Sequence, residues 1–293
     1  MPTALIAGLV AVPVLWAIYL AILVQPFTSV PVHSASQEAA RAHRAAASWG
    51  TCFVVYMVAA AWNLVVSRMI LKRYMEERFR WATFGLAVLA AALGFSIRET
   101  SYASSQAPLS IVVGAGVPIY EVTKVGNAIT AAVIILLVAT SGALISRGQR
   151  EEMSARNLRR RIAVSKLSLY SAASLLIIGV VQIYFLNDWP ASVFAETTKS
   201  SRDGLHDLAY TGAVASGAIY SAVLIMMYAP VLLTHDQWAS RLAEDAAVSN
   251  PNFDFAKWRE AQGLGRSVTG TLSEVGAVVG PWLAAVGAPQ LLP

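Results

Sequence analysis

Long apolar segments constrain this chain more than any other feature. A helix that crosses a bilayer needs about 20 predominantly apolar residues, because each residue rises about 1.5 Å through a hydrocarbon layer about 30 Å thick. Six segments meet or approach that length, namely residues 4–24, 49–71, 81–97, 125–145, 167–186 and 208–233. The sequence therefore predicts an all-α, polytopic transmembrane helical bundle of six spans over residues 1–233.

The composition agrees with a membrane environment. Of the 293 residues, 56% are hydrophobic and 13% are charged, whereas a soluble domain carries about 25% charged residues. The net charge of +5 would suit a nucleic-acid-binding protein, but the basic residues are concentrated in two short loops between apolar spans. That placement is typical of membrane topology. We therefore expect the lipid bilayer, and no nucleic acid, as a partner.

Four segments leave alternatives open. Residues 4–24 could be a cleaved signal peptide, which would leave five spans, but they lack the basic n-region and exceed the usual apolar length. Residues 81–97 are at the lower length limit for a span. Residues 107–120 are too short to cross, and residues 275–292 are divided by glycine and proline. The last two segments could each enter the membrane without crossing it.

The distribution of Lys and Arg predicts the orientation, because short cytoplasmic loops retain these residues. The connections after the second and fourth spans carry twelve of them, and the alternate connections carry six. The basic connections contain Arg68, Lys72, Arg73, Arg78, Arg80, Arg147, Arg150, Arg156, Arg159, Arg160, Arg161 and Lys166. The sequence thus predicts a multi-pass protein of a bacterial-type inner membrane, with both the N- and C-termini cytoplasmic.

Residues 234–293 differ in character and are predicted to form a cytoplasmic tail. Residues 236–247 are polar and continue the last span as a helix until Asn250-Pro251. Phe253, Phe255 and Trp258 then form an aromatic cluster before a second short helix that ends near Gly263. The cluster is a candidate partner-docking surface. The Gly/Pro-rich apolar end is expected to lie at the interface or to pack against the bundle or a partner.

Polar residues within the spans or at their ends are costly to bury in lipid and can mark a path for ions or solutes. The candidates for such a path, or for interhelical contacts, are Asn63, Arg68, Glu121, Lys124, Asn127 and Gln182. Asn63 is deep and needs a hydrogen bond, either to Gln182 or to a serine of the fifth span. Glu121 and Lys124 favour an ion pair where the fourth span begins, and Arg68 can extend its charge to the head groups.

A stripe of small residues in the sixth span is the sharpest packing signal. Ala213, Gly217 and Ser221 recur every four residues, so they share one helix face and permit close approach of another helix. Ala90 and Gly94 repeat the pattern more weakly in the third span. Such a face predicts tight packing either within the monomer or between subunits.

No motif of an enzyme, a metal site or a cofactor site is recognisable. The single cysteine, Cys52, cannot form an intrachain disulfide. None of the four histidines lies at depth on facing spans, as haem ligation between helices requires. The six spans contain no acidic residue. We expect no catalytic, metal or cofactor-binding residues, and therefore no cofactor.

Three classes of function remain. The preferred class is a non-catalytic membrane component that oligomerises or docks a partner in a membrane complex, because the tail carries features without an enzymatic explanation. The alternative is a small channel or transporter, which would require a continuous polar face across the bilayer. A membrane-embedded enzyme is the third class, and the missing acidic and histidine residues in the spans argue against it.

Overall fold

The computed structural model of the protein describes residues 37–96, 119–146, 154–193, 199–248, 253–265 and 268–291. In these residues every regular element is a helix, and the predicted all-α fold is confirmed. The predicted span at residues 4–24, and residues 107–118 of the short apolar segment, lie outside the described residues. The helices are α1 (Gln37–Tyr74), α2 (Glu77–Ser96), α3 (Ile119–Ile145), α4 (Ala155–Val193), α5 (Lys199–Ala247), α6 (Phe255–Ala261) and α7 (Val268–Gly287), followed by a 3-10 turn (Ala288–Leu291).

Within the part of the chain that the structure describes, five helices are long and apolar enough to cross a membrane, as expected for a multi-pass membrane protein. The candidate spans are Ala47–Tyr74, Lys124–Ile145, Ala155–Asp188, His206–Ala247 and Gly270–Gln290. The first four contain the predicted spans at residues 49–71, 125–145, 167–186 and 208–233. The fifth, Gly270–Gln290, is not one of the six spans predicted from the sequence.

Helix α2 contains most of the predicted span at residues 81–97 but is not among these five. Its first turn is charged, with Glu77, Arg78 and Arg80. Beyond that turn it exposes large apolar side chains, including Trp81 at 70% and Val88 at 69%. Exposed apolar side chains are compatible with contact to lipid. The third span therefore stays a prediction at this position.

Helix α4 lies at the centre of the bundle. It packs against α1, α5 and α7, while α2 packs mainly against α3. Between α1 and its neighbours, the polar side chains that reach the interior are paired with one another. Tyr56 and Thr130 share a hydrogen bond of 2.5 Å, and the Asn63 amide donates to the Ser171 hydroxyl at 3.3 Å. Such pairs hold transmembrane helices in register.

The C-terminal apolar stretch differs from the expectation of a broken segment. It forms one helix, α7, that continues through Pro281, as membrane helices tolerate when neighbouring helices support the backbone. The start of α7 lies beside the first half of α4, where Ser273 and Tyr170 share a hydrogen bond of 2.9 Å. Its far end, with Ala285, packs in one cluster with Trp49 and Ala209. Helix α7 therefore runs along the bundle, antiparallel to α5.

The ends of α4 and α5 extend past the apolar spans and form a small helical lobe with α6. We define the basic-end lobe as residues 155–166, 234–248 and 253–265. Its core consists of Leu158, Trp238, Ala239 and Leu264, with Ala155, Ile162, Leu242 and Trp258 packed around them. The boundaries of its helical parts agree closely with those predicted for residues 236–247 and for the short helix near Gly263.

Local interactions fix the two ends of α6. The Asp254 carboxylate accepts hydrogen bonds of 3.0 Å from the backbone N–H groups of Ala256 and Lys257, which is an N-cap. The Lys257 N–H holds the pKa of the Asp254 carboxyl below its usual value. After the helix, Gly263 has a φ of 67°, a conformation that favours glycine. The chain then turns so that Leu264 enters the lobe core.

Candidate functional site

Arg161 occupies the junction between the bundle and the basic-end lobe. Its side chain is only 2% exposed, and it donates to the carbonyl oxygens of Leu144 at 3.3 Å and Ser146 at 2.8 Å. The guanidinium also lies over the rings of Tyr74, at 4.7 Å, and Trp238, at 5.4 Å. One side chain of α4 thus joins the ends of α1, α3 and α5. From the sequence, Arg161 is recognisable only as one of the basic residues that predict the topology.

Two ion pairs connect helices at the same end of the molecule. Lys166 of α4 pairs with Glu274 of α7 at 2.9 Å, and Arg259 of α6 pairs with Asp236 of α5 at 2.5 Å. The Glu274 side chain is 11% exposed and the other three are between 28% and 46% exposed. Exposed pairs of this kind add about 0–1 kcal/mol to stability. Their clearer effect is to fix where α6 and α7 lie against the longer helices.

These ion pairs border a cavity of about 90 Å³, which we call the basic-end cavity. It lies where the transmembrane parts of α4, α5 and α7 meet the lobe. Its polar lining comprises Lys166, His235, Asp236, Arg259, Thr271 and Glu274, and its other lining residues are Ile162, Tyr228, Leu232, Ala239, Gly263, Leu264, Gly265 and Gly270. The cavity combines three basic and two acidic side chains with an apolar wall.

His235 is the unusual member of that lining. It is 3% exposed, and neither of its ring nitrogens has a hydrogen-bond partner. The Leu144 carbonyl is nearby without acceptable hydrogen-bond geometry, and it already accepts from Arg161. The Nε of Arg259 is also buried without a partner. Buried polar atoms nearly always have a partner, so these nitrogens have unused hydrogen-bonding capacity beside the cavity, although they have almost no accessible surface in this structure.

A wider opening leads from the lobe surface towards the basic-end cavity. Its volume is about 550 Å³, and it is lined by Asp236, Ala256, Arg259, Glu260, Gly263, Leu264 and Gly265. Asp236, Arg259, Gly263, Leu264 and Gly265 border both spaces. The boundary between the outer opening and the inner cavity is therefore formed by the ion pair together with the turn after α6.

The structure does not assemble the predicted polar residues into one path. Asn63 bonds to Ser171 of α4, and Gln182, which is half-buried, lies about 16 Å further along that helix. Arg68 is exposed on the outside of α1. Lys124 and Asn127 are half-buried on α3, and the Glu121 side chain lies outside the described residues. Among the described residues these groups are separate points at different depths.

The predicted small-residue stripe lies against α7 within the monomer. Ala213 is fully buried in the cluster that contains Ala285. A Cβ atom on Gly217 would lie 2.7 Å from the Pro281 carbonyl oxygen. The Ser221 hydroxyl accepts a hydrogen bond of 3.3 Å from the backbone N–H of Trp282. The second small-residue pair, Ala90 and Gly94, also includes a close helix contact within the monomer, because a Cβ on Gly94 would lie 2.8 Å from the carbonyl oxygen of Asn127.

The predicted aromatic cluster is present on the basic-end lobe. The Phe253 ring lies edge-on to Phe255 at 4.9 Å and is tilted against Trp258 at 6.0 Å. Trp258 packs against the lobe core, whereas Phe255 is 48% exposed. The cluster therefore has one member that closes the lobe and one that faces outward.

At the opposite end of the bundle, Asp188 of α4 and His206 of α5 form a close hydrogen bond. Asp188 is 3% exposed. Both residues flank predicted spans, at residues 167–186 and 208–233. Among the described residues, no group of three or more His, Cys, Asp or Glu side chains could hold a metal ion.

Comparison of the chain with protein-family models, with curated proteins and with solved structures finds no match.

Proposed function

We propose that this protein is a non-catalytic component of a bacterial-type inner membrane, and that it oligomerises or docks a partner through the basic-end lobe. The observation that carries the proposal is the lobe itself. The first turns of α4, the last turns of α5 and the segment after α5 form a packed helical unit with its own apolar core. A simple loop between spans would need no such core.

The outward surface of the lobe has the chemistry of a docking surface. Phe255 and Val248, at 48% and 86% exposed, present apolar groups outside the apolar spans. Arg156, Arg159 and Arg160 are exposed on the α4 part of the lobe. Aromatic and arginine residues are enriched where proteins bind one another. A partner with an acidic rim around an apolar pocket would fit this surface.

The mass of the purified particle tests the proposal. We expect the protein, extracted in a mild detergent, to have a mass above that of the 31.2 kDa chain, either as a homo-oligomer or with a stoichiometric partner. Phe255→Asp should reduce the particle to the monomer, because it places a charge in the apolar part of the surface. Phe79→Asp is the matched control and should leave the assembly unchanged, because Phe79 is 51% exposed on α2, outside the basic-end lobe and before the predicted span at residues 81–97.

A monomer that carries solute or ion flux in liposomes would contradict this proposal. It would support a small channel or transporter, which is the second candidate function. The basic-end cavity favours that candidate, since it forms a polar space at the end of the spans. The pairing of Asn63 with Ser171 and of Tyr56 with Thr130 weighs against it, because interior polar groups are occupied by one another.

The course of α7 leads us to propose a different side for the C-terminus than the sequence did. Helices α1, α3 and α5 end, and α4 begins, at the basic end, which the positive-inside rule places in the cytoplasm. Helix α7 starts there and ends beside Trp49 at the other end. The C-terminus would then be outside the cytoplasm. With residues 4–24 and α2 also crossing, the chain would have seven spans and a cytoplasmic N-terminus.

Single cysteines at the two ends of α7 test this arrangement in a Cys52→Ala background. We expect a membrane-impermeant maleimide to label Gln290→Cys in intact spheroplasts, because residue 290 is exposed at the far end of α7. Val248→Cys, on the lobe, should be labelled only after the membrane is permeabilised. Equal protection of both cysteines in intact spheroplasts would instead support the predicted cytoplasmic C-terminus.

A further inference from the structure

We propose that the basic-end cavity binds a phosphate-type oxyanion, carried either by a phospholipid head group or by a soluble phosphate compound. This inference does not rest on the docking proposal, because the cavity lies inside the molecule and the docking surface lies outside it. It concerns the buried side of the lobe, where His235 and Arg259 have unused polar atoms.

The unpartnered atoms determine what kind of group would fit. The Nε of Arg259 can only donate a hydrogen bond, and a neutral imidazole has one donor and one acceptor nitrogen. A ligand that satisfies Arg259 must therefore offer an acceptor, and a group with several acceptor oxygens can serve His235 as well. Because these nitrogens have almost no accessible surface in this structure, binding requires the two side chains to turn towards the cavity. Hydrogen bonds from arginine to phosphate oxygens are among the stronger ones in proteins.

The two carboxylates in the lining do not exclude an anion. Glu274 is already paired with Lys166, and Asp236 is already paired with Arg259. A lysine ammonium has three donors and a guanidinium has five, so both cations keep free donor capacity. The Thr271 hydroxyl adds another polar group to the lining. With neutral His235, the net charge of the lining is zero. The preference for an acceptor-rich ligand therefore comes from the hydrogen-bond donors of the lining.

The size and position of the cavity suit such a ligand. One water needs about 10–15 Å³ of space measured in this way, so about 90 Å³ accommodates a group of several non-hydrogen atoms. The cavity lies where the apolar runs of α4 and α5 end, which is the depth of lipid head groups. Its wall also contains Ile162 and Leu232, against which an acyl or other apolar portion could pack.

The opening on the lobe surface supplies a route for a soluble compound. The pair of Asp236 and Arg259, together with the turn at residues 263–265, separates that opening from the cavity. Because this ion pair is partly exposed, it can open at small cost. A lipid would instead enter from the side of the helices. The shared chemistry is the phosphate group, and the two sources differ in whether binding needs a bilayer.

Binding is tested with two probes. Inorganic phosphate is titrated calorimetrically into protein purified in a non-ionic detergent, with chloride as the control anion. In parallel, native mass spectrometry measures lipid retained by protein from nanodiscs of phosphatidylglycerol or of a phosphate-free galactolipid. Saturable phosphate binding indicates a soluble ligand. Selective retention of phosphatidylglycerol without phosphate binding indicates a head group.

Two variants connect any binding to this cavity. His235→Leu removes both ring nitrogens, and Arg259→Lys keeps a positive charge for Asp236 while removing Nε. Each should weaken binding about tenfold, as expected for the loss of one hydrogen bond to a charged group. Arg241→Gln removes a charge from an exposed position of α5 outside the cavity and should change binding less than twofold.

Arg259→Lys decides the test by itself if His235→Leu does not fold. The proposal is overturned if neither phosphate nor phosphatidylglycerol binds, in which case the cavity holds water only. It is also overturned if binding occurs but is equally strong in Arg259→Lys and the wild type, because the bound group would then lie elsewhere.

Discussion

Arg161→Met is expected to destabilise the folded protein by about 2–4 kcal/mol. The substitution removes the donor to the Leu144 carbonyl, and Leu144 is only 2% exposed. A buried acceptor left unsatisfied costs about 1–3 kcal/mol. Loss of the contacts with the Tyr74 and Trp238 rings adds about 0.5–2 kcal/mol. Ser146 is exposed, so water can replace the arginine at its carbonyl.

Reversible unfolding in mixed micelles of rising SDS mole fraction measures this effect. Arg160→Met is the matched control, because Arg160 is the adjacent residue of α4 and is exposed. It removes the same charge from the same loop and should change stability by less than about 0.5 kcal/mol. Equal effects of the two substitutions would show that Arg161 contributes only through the overall positive charge of the basic end.

Four of the six predicted spans follow from one physical requirement, which is why the sequence could locate them. Each of α1, α3, α4 and α5 contains a predominantly apolar run of the length that a bilayer needs. The need of Asn63 for a hydrogen bond also follows from residue chemistry, because a buried amide must find a partner; the sequence leaves Gln182 and a serine of the fifth span open, and the partner is Ser171. These properties depend on residue chemistry and chain length, without knowledge of tertiary contacts.

Helix α7 depends on tertiary contacts, which explains why the sequence predicts a segment divided by glycine and proline instead of one continuous helix. Gly280 and Pro281 lower the helix propensity of an isolated segment. In the bundle, a Cβ on Gly280 would lie 2.8 Å from Ile177 Cδ1, and the Pro281 carbonyl lies against Gly217. The residues that resemble helix breakers are thus those that allow close packing. The periodicity of Ala213, Gly217 and Ser221 indicated a close neighbour but could not identify α7.

The packing of the basic-end lobe into one unit is not predicted from the sequence, for a different reason. Arg159, Arg160 and Arg161 are adjacent in sequence and equivalent in a count of charges, yet the first two are exposed and the third is buried. Leu158 and Ile162 lie four residues apart on one face of α4 and enter the lobe core. That spacing is visible in the sequence and typical of an amphipathic helix. The cavity beside His235 requires α5, α6 and α7 together, and no local pattern reveals it.

Gly217→Val is expected to separate α7 from α5 and to destabilise the protein by about 1–3 kcal/mol, the usual cost of overpacking. The new Cβ would meet the Pro281 carbonyl oxygen at 2.7 Å and the Trp282 Cα at 3.0 Å. Both are backbone atoms, so no side-chain rotation relieves the clash. The hydrogen bond from the Trp282 N–H to Ser221 lies one turn away and should break as well. SDS-induced unfolding measures the loss of stability, and disulfide crosslinking between paired cysteines on α5 and α7 measures the separation.

Gly276→Val supplies the comparison, because Gly276 lies in α7 and a Cβ there meets nothing within 4 Å. Both substitutions replace a helical glycine with the same β-branched residue, so their effects on helix propensity are matched. Gly276→Val should therefore keep the crosslink and leave stability unchanged or slightly higher. If Gly217→Val behaves the same way, α7 does not rest on α5 in the membrane. The proposed position of the C-terminus outside the cytoplasm would then lose its structural basis, since it follows from α7 running antiparallel to α5.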